Sequence, residues 1–404
     1  MRPALILMHR YVGLALASFL IIIGLTGSII AFYEPLEQWI NPDLLFVKPE
    51  GETIDPLVLR DKLEAEDPNS HVYFVHFPPE KNQSVSMYVE GAIDPQTREE
   101  KTAGYDEVFV NPYTGELIEQ RQWGDFSLER KNAVTMVYFL HYSLVLPEEL
   151  GEGFMGIVAL IWAFDCFVGF ALTLPNRANN GSQRRGIWQR WKRSWLIKTG
   201  ASKTRVLYDT HRALSLWVWL VLLMFAWSGF ALNLPTIYNK ILSQVMHTTD
   251  NYVQPELEQP LIDPQIGWQE ARMLGEKYMA EAAEKYGFSI NHPHALVYRR
   301  EKGFYDYRVH SSFDILKYGS TSVAIDAQTG KLLGVQIPTG VEAGTTFTSW
   351  IKALHMAMVG CMPWRIFVSF IGLVVVTLSI TGIWLWLKKR KFPAEARWTS
   401  KIDA

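Results

Sequence analysis

Cysteine is nearly missing from this chain. Its 404 residues hold two, Cys166 and Cys361, in or beside apolar runs. They form no C-x-x-C or paired motif, which excludes a disulfide framework and a cysteine-based zinc site. An excess of positive charge is missing too. With 39 basic and 41 acidic residues, no nucleic-acid partner is expected. Charge of either sign is absent from long stretches: Tyr11 to Tyr33, Ala213 to Asn239 and Ile366 to Leu387 carry none, and Phe154 to Asn176 carries only Asp165. Each run is about 20 residues or longer, enough at about 1.5 Å per residue to cross a hydrocarbon core of roughly 30 Å. A cleavable leader is not expected, because Tyr33, Glu34 and Pro35 follow the first run where small residues would be needed.

Acid is also missing from Asn176 to Tyr208, which instead holds nine Lys and Arg: Arg177, Arg184, Arg185, Arg190, Lys192, Arg193, Lys198, Lys203 and Arg205. Short loops this basic stay in the cytoplasm. Lys388 to Lys391 and the pair Arg2 and Arg10 agree. Both termini are therefore expected in the cytoplasm of a bacterial inner membrane, with two long polar segments in the periplasm.

What is present is an internal echo. His9-Arg10 is followed by Thr26-Gly27, and His211-Arg212 by Ser228-Gly229, the glycine coming 18 residues after the histidine each time. A polar segment follows in each half. Each contains alternating apolar residues around a Thr-Gly turn, in EVFVNPYTGELIEQ (Glu107 to Gln120) and TSVAIDAQTGKLLGV (Thr321 to Val335), which reads as a β-hairpin. IDPLVLRDKLEAEDP and IGWQEARMLGEKYMAEAAEKYG read as amphipathic helices. Val72 to Phe77, Ser84 to Glu90 and Tyr305 to His310 read as strands. A second histidine then precedes a proline and a span: His141 before Pro147, and His355 before Pro363. The expected fold is an α-helical membrane protein, a four-span bundle from two tandem repeats, with two periplasmic α+β domains.

The boundaries follow. The first span occupies 1–36 and the first outer domain 37–125. A periplasmic helix and second span take 126–174, and a basic loop 175–209. The third span is 210–239 and the second outer domain 240–344. A helix and fourth span take 345–390, and a tail 391–404. Two repeats in the same orientation are related by an axis along the membrane normal. Such an axis brings His9 to face His211 near the cytoplasmic side and His141 to face His355 near the outer side.

Two neutral imidazoles facing across an apolar gap suit the two axial positions of haem iron. Four histidines at matching places carry this reading; a single histidine at a helix end would be a cap. Arg10 and Arg212 are candidates to neutralise haem propionates, with Arg365 a weaker one. The remaining histidines, His71, His76, His247, His292, His294 and His310, read as ordinary loop residues, and the two-residue spacing in NHPHALVY is a weak metal signal. Asp165, an acid within a span, is expected to face the interior or a water path, in a proton-relay or a polar-packing role. Leu378 falls near its equivalent place, which argues against a symmetric role. The tryptophans read mostly as interfacial anchors or packing residues.

The His-Arg starts, the hairpins NPYTGEL and DAQTGKL and the four-span layout resemble the PepSY-associated transmembrane family, over nearly the whole chain. Within it the closest functional type looks like the FoxB-type inner-membrane ferric-siderophore reductases, four-helix haem proteins with periplasmic PepSY-like domains. The resemblance implies haem b, two per chain, with His9, His141, His211 and His355 as iron ligands. It also implies a ferric siderophore as substrate and release of Fe²⁺. Some members carry a fused flavin-binding domain; about 17 residues follow the last span here, so a separate cytoplasmic or membrane electron donor is expected. Three other readings make different predictions. A PepSY-type sensor or protease regulator would be colourless. A siderophore or iron transporter would move substrate without a donor. A single-haem protein would use one histidine pair.

Overall fold

The computed structural model describes residues 1–78, 80–127, 129–175, 186–248 and 255–390. Arg177, Arg184 and Arg185 of the basic loop and the tail 391–404 lie outside the described residues. In chain order the first half forms α1 (Arg2–Ile30), α2 (Tyr33–Ile40), α3 (Pro42–Leu45), α4 (Pro56–Glu66), β1 (Ser70–His76), β2 (Val85–Gly91), β3 (Glu107–Val110), β4 (Leu117–Arg121), α5 (Ala133–Ser143) and α6 (Glu148–Thr173). The basic loop contributes α7 (Ile187–Trp191), followed by a single 3-10 turn, Lys192–Trp195. The second half forms α8 (Lys203–Trp217), α9 (Trp219–Asn233), α10 (Pro235–Leu242), α11 (Trp268–Tyr286), β5 (Ile290–Arg299), β6 (Phe304–Ser311), β7 (Thr321–Asp326), β8 (Leu332–Gln336), α12 (Ala343–His355) and α13 (Cys361–Arg390).

Two compact units result, each assembled from separate stretches of chain. One is helical and holds Met1–Phe32, Val137–Tyr238 and His355–Ala404. The other holds Tyr33–Met136 and Asn239–Leu354 and contains the sheet.

In the helical unit α1, α6 and α13 are each long and apolar enough to cross a membrane, and α8 with α9 would make a fourth span if the bent pair is one. The third span, expected without interruption, is broken at Val218, where the two helix axes differ by 68°. No proline or glycine lies at the break. The tryptophans on either side are instead held in different places. Trp217 Nε1 donates to the Trp195 carbonyl (3.1 Å), and Trp219 Nε1 donates to the Cys166 carbonyl (2.8 Å) while its ring packs on Phe170. Close approach of α1 to α13 depends on small residues. A Cβ on Gly24 would lie 2.8 Å from the Gly372 carbonyl oxygen, and Ser28 Oγ donates to the Ser369 carbonyl (2.9 Å). Glycine and serine let helix backbones meet where lipid offers no hydrophobic drive for association. Leu16, Leu20, Val158, Leu222, Ile371 and Val375 fill the interior.

The second unit corrects the expectation of two separate outer domains. Its eight strands form one antiparallel sheet in the order β4-β3-β2-β1-β5-β6-β7-β8. The halves join through β1 and β5, with Phe74 opposite Val297 and Val75 opposite Leu296. Either half alone would expose β1 or β5 as an open edge of unpaired backbone groups, and joining them removes that edge. Helices α4 and α11 cover one face, closing a core of Leu57, Leu59, Val72, Val75, Met279, Leu296 and Tyr305. The two expected hairpins are present. Gly115 and Gly330 take the left-handed turn position in each, both at φ 69°. Their carbonyls accept from Lys62 Nζ on α4 (2.7 Å) and the Tyr278 hydroxyl on α11 (2.9 Å), so the same bond ties each turn to its helix.

Strand β5 was not expected. NHPHALVY, read as a loop, is its body, and Pro293 is accommodated where the register with β6 shifts. His71 and His76 lie on β1, His292 and His294 on β5 and His310 on β6, so five of the six histidines read as loop residues are strand residues.

Candidate functional site

All four histidines singled out from the sequence lie in the helical unit and meet in two facing pairs. His9 on α1 faces His211 on α8, ring centres 6.3 Å apart and planes crossing at 61°. His141 on α5 faces His355 at the end of α12, again 6.3 Å apart, at 72°. Thr26, which holds His141, lies 17 residues beyond His9 on α1, or about 25 Å along the helix axis.

Each ring is held through the same atom. Nδ1 of His141 lies 3.0 Å from Thr26 Oγ1, and Nδ1 of His355 lies 2.6 Å from Ser228 Oγ. Nδ1 of His211 lies 3.0 Å from Thr381 Oγ1. Nδ1 of His9 lies 3.0 and 2.9 Å from the two oxygens of Asp165. The direction of these bonds can be worked out. A hydroxyl has one proton, and each of the three spends it one turn back on its own helix. Thr26 donates to the Ile22 carbonyl (2.8 Å), Ser228 to that of Met224 (2.8 Å) and Thr381 to that of Thr377 (2.8 Å). Their oxygens therefore accept from Nδ1–H, as the Asp165 carboxylate does. With the hydroxyl protons so placed, each ring donates from Nδ1, the tautomer that leaves its Nε2 lone pair for a ligand bond.

Glycine gives the His141 ring room, and at Gly169 and Gly382 a Cβ would make ordinary contact with the ring beside it. A Cβ on Gly27 would lie 2.9 Å from Cε1 of His141, on Gly169 3.4 Å from Cε1 of His9, and on Gly382 3.5 Å from Cε1 of His211. Thr26-Gly27, Ser228-Gly229 and Thr381-Gly382 thus form a recurring hydroxyl-glycine pair, of which sequence reasoning used the first two only as repeat markers and missed the third. It also misplaced the counterpart of Asp165. Counted from Pro147 and Pro363, Asp165 and Thr381 both come 18 residues on, and both hold the Nδ1 of a histidine. Leu378 is not the equivalent position.

The two arginines part company. Arg212 Nη2 is paired with Asp209 (2.8 Å) and donates to the Arg193 carbonyl (2.8 Å). Nη2 is thereby engaged, while Nε has no hydrogen-bond partner among the described residues. Arg10 is half-buried and has no ion pair among the described residues. Arg365 is buried.

The string Gly151-Glu152-Gly153-Phe154-Met155-Gly156 has the G-x-G-x-x-G spacing, which sequence reasoning passed over. No strand precedes it. It lies inside α6, where Gly151 packs on Ser143 and Gly156 on Leu234. These are packing glycines rather than a phosphate-binding turn.

Metal ligation at the histidine pairs can be tested on size. A metal–imidazole bond of about 2 Å on each side, plus roughly 1.1 Å from ring centre to nitrogen, puts two axial ring centres about 6.2 Å apart. Both pairs meet that spacing. Among the described residues no group of three or more His, Cys, Asp or Glu side chains could hold a metal ion. Each pair therefore offers two opposed ligands and no more. That donor set suits a metal whose in-plane positions are already filled by a macrocycle.

No curated protein matches the chain. A profile of the PepSY-associated TM region matches it over residues 6–392. That match takes in both histidine pairs, the four residues that hold them and the whole described sheet, and by it the chain belongs to the PepSY-associated transmembrane family.

Proposed function

We propose that this protein is a haem-dependent reductase of a bacterial inner membrane, passing electrons to a ferric siderophore in the periplasm so that Fe²⁺ is released. The supporting observation is the pairing of four imidazoles, each held through Nδ1. His9 with His211, and His141 with His355, stand with ring centres 6.3 Å apart and would hold the iron through Nε2. Bound there, haem b supplies reversible one-electron exchange. The chain's residues do the rest. Thr26, Ser228, Thr381 and Asp165 hold the rings at one tautomer and orientation. Gly27 keeps the edge of the His141 ring clear. Arg10 is available to a porphyrin carboxylate on the His9 side. The apolar interior around Leu16, Leu222 and Ile371 excludes water.

Orientation follows from charge. Arg2 donates to the carbonyls of Leu172 and Leu174 at the end of α6, so the start of α1 and the end of α6 share one end of the unit. The basic segment that leads into α8 follows there. This end, with the His9–His211 pair, is the cytoplasmic one on our reading. The two polar segments are then periplasmic, and internal duplication accounts for the matched contacts.

A visible spectrum of purified full-length protein before and after dithionite tests the proposal. Two six-coordinate b-type haems per chain are expected, with His9→Ala and His141→Ala each removing a different one. A colourless protein indifferent to both changes would overturn it and leave the sensor or transporter readings.

A further inference from the structure

A second built site lies where the basic segment meets the helical unit. The stretch from α7 through the 3-10 turn, IWQRWKRSW, is pinned at three points. Trp191 Nε1 donates to Thr173 Oγ1 (3.2 Å), Ser194 Oγ donates to the Thr173 carbonyl (2.8 Å), and the Trp195 carbonyl accepts from Trp217 Nε1 (3.1 Å). Trp188, Trp191 and Trp195 meet edge to face, ring centres 5.5 and 5.4 Å apart. Held this way, the segment leaves Ile187 68% and Trp188 64% exposed. Lys192, Arg193 and Lys198 are exposed around them.

Among the described residues, two hydrogen-bond donors beneath this surface are buried without an acceptor: Trp195 Nε1 and Arg212 Nε. Both belong to the same corner of the fold: Arg212 Nη2 donates to the carbonyl of Arg193, two residues before Trp195 in the 3-10 turn. The one acid of the region cannot serve them. Asp209 is taken by Arg212 Nη2 on Oδ1 (2.8 Å) and by Arg205 Nε on Oδ2 (3.0 Å). A buried N–H left without a partner is destabilising, because it has lost its hydrogen bond to water and gained none. The site therefore has spare donors, spare positive charge and no spare acceptor, beside an exposed indole and an isoleucine. A ligand that suits it brings anionic oxygens at one end and an apolar body at the other.

We propose that this is a docking site for the headgroup of an anionic phospholipid. Its phosphate oxygens accept from Trp195 Nε1 and Arg212 Nε, Lys192 and Arg193 supply counter-charge, and the acyl chains run beside Ile187 and Trp188. Charge complementarity commits the surface to an anionic rather than a zwitterionic lipid. Its place at the end of a span, with tryptophans at the boundary, commits it to a lipid rather than a soluble anion.

Native mass spectrometry of the full-length protein, incubated in detergent with phosphatidylglycerol or with phosphatidylcholine of the same chains, tests this. Several-fold greater retention of phosphatidylglycerol is expected. Lys192→Glu with Arg193→Glu should reduce it to the phosphatidylcholine level, while Arg193→Lys should keep it. Trp195→Phe, which removes one donor and little volume, should weaken retention several-fold with an unchanged thermal midpoint. Equal retention of the two lipids would overturn the proposal. So would displacement by millimolar inorganic phosphate, which would make this a free-anion site. Loss of lipid on haem loading would assign the donors to a porphyrin carboxylate and overturn it too. Apart from this last arm, no outcome depends on whether the histidine pairs carry haem.

Discussion

Four pairs of histidine rings meet among the described residues, and the two in the sheet, His292 with His310 (stacked, 5.3 Å apart) and His76 with His294, differ from the two in the helical unit. His76 and His294 lie on adjacent strands with ring centres only 4.4 Å apart, too close for a metal to sit between opposed nitrogens. The helical pairs stand 6.3 Å apart, and every Nδ1 has a hydroxyl or carboxylate acceptor. Facing histidines are thus not enough to make a ligand pair. Spacing and a second partner that fixes the tautomer separate a site from buried packing.

Removing the second partner is the strongest way to break this contrast. Thr26→Val and Ser228→Ala keep the helix and leave Nδ1 of His141 or His355 without its acceptor. Each should weaken haem retention at the outer pair about 10–100-fold and spare the inner pair, as read by haem titration of the purified protein. Equal loss at both pairs would mean that the hydroxyls act on the fold and not on the ring they hold.

Acid sharpens the same contrast from the other side. Burial holds His76 down at about 4 and His294 at about 3, with the Arg308 guanidinium depressing both further. Tyr318 also faces His294, and the carboxylate of Asp306 pairs with Arg308. In the unfolded chain both histidines titrate near the ordinary value of about 6.5. The folded state binds fewer protons, so stability is full above about pH 6.5 and falls as the pH drops toward 4. Each histidine contributes a loss of about 1.4 kcal/mol per pH unit across that window, so the total is several kcal/mol. Thermal midpoints measured across that window should fall, and His294→Asn should flatten the dependence. An unchanged slope in that variant would assign the acid sensitivity elsewhere.

The two helical pairs also differ from each other. Both outer histidines and His211 are held by neutral hydroxyls, whereas His9 is held by the Asp165 carboxylate. A carboxylate partner makes imidazole a stronger donor to a metal and so favours the oxidised ion. On the haem reading the inner site has the lower potential and electrons run downhill from it to the outer site. Asp165→Thr would give the inner pair the partners of the outer one. Its midpoint potential should rise by tens of millivolts, about 59 mV for each tenfold change in relative affinity for the two oxidation states. No rise in a redox titration would remove Asp165 as the source of the difference.

Much of this was legible in the sequence, for identifiable reasons. The four histidines stood out because each sits where a charge-free run begins or is about to begin, and the Thr-Gly turns because a left-handed glycine is punctuation that survives any packing. The rings' partners were harder to see. Thr26, Ser228 and Thr381 look like ordinary small residues of a span, and only the i−4 carbonyl bond of each hydroxyl reveals which way the second bond points. The break at Val218 carries no proline or glycine and follows from where two indoles are anchored. Strand β5 was hidden by Pro293, tolerated because the register slips beside it. That two polar segments share one sheet is a long-range pairing, which local periodicity does not encode.

The smallest effect concerns the turns that follow the outer histidines. After His141 the chain passes through Leu144 at φ 55° and Val145 at φ 61°; after His355 it passes through Ala357 at φ 55°. A left-handed β-branched residue is a genuine outlier, held in place by its surroundings at a cost of order 1–3 kcal/mol. Ala357 is buried against Ala31 and Val368, so its methyl group contributes packing that offsets its strain. Val145 is only half-buried and has less to offset. Asparagine tolerates this conformation through local hydrogen bonding without the added chain entropy of glycine. Val145→Asn should therefore raise stability by about 1 kcal/mol, while Ala357→Gly should leave it unchanged or slightly lower, as read by thermal unfolding in one detergent. If Val145→Asn instead destabilises the protein, the valine side chain is fixing the path from His141 to α6, and the strain at that turn is part of how the outer ring is held.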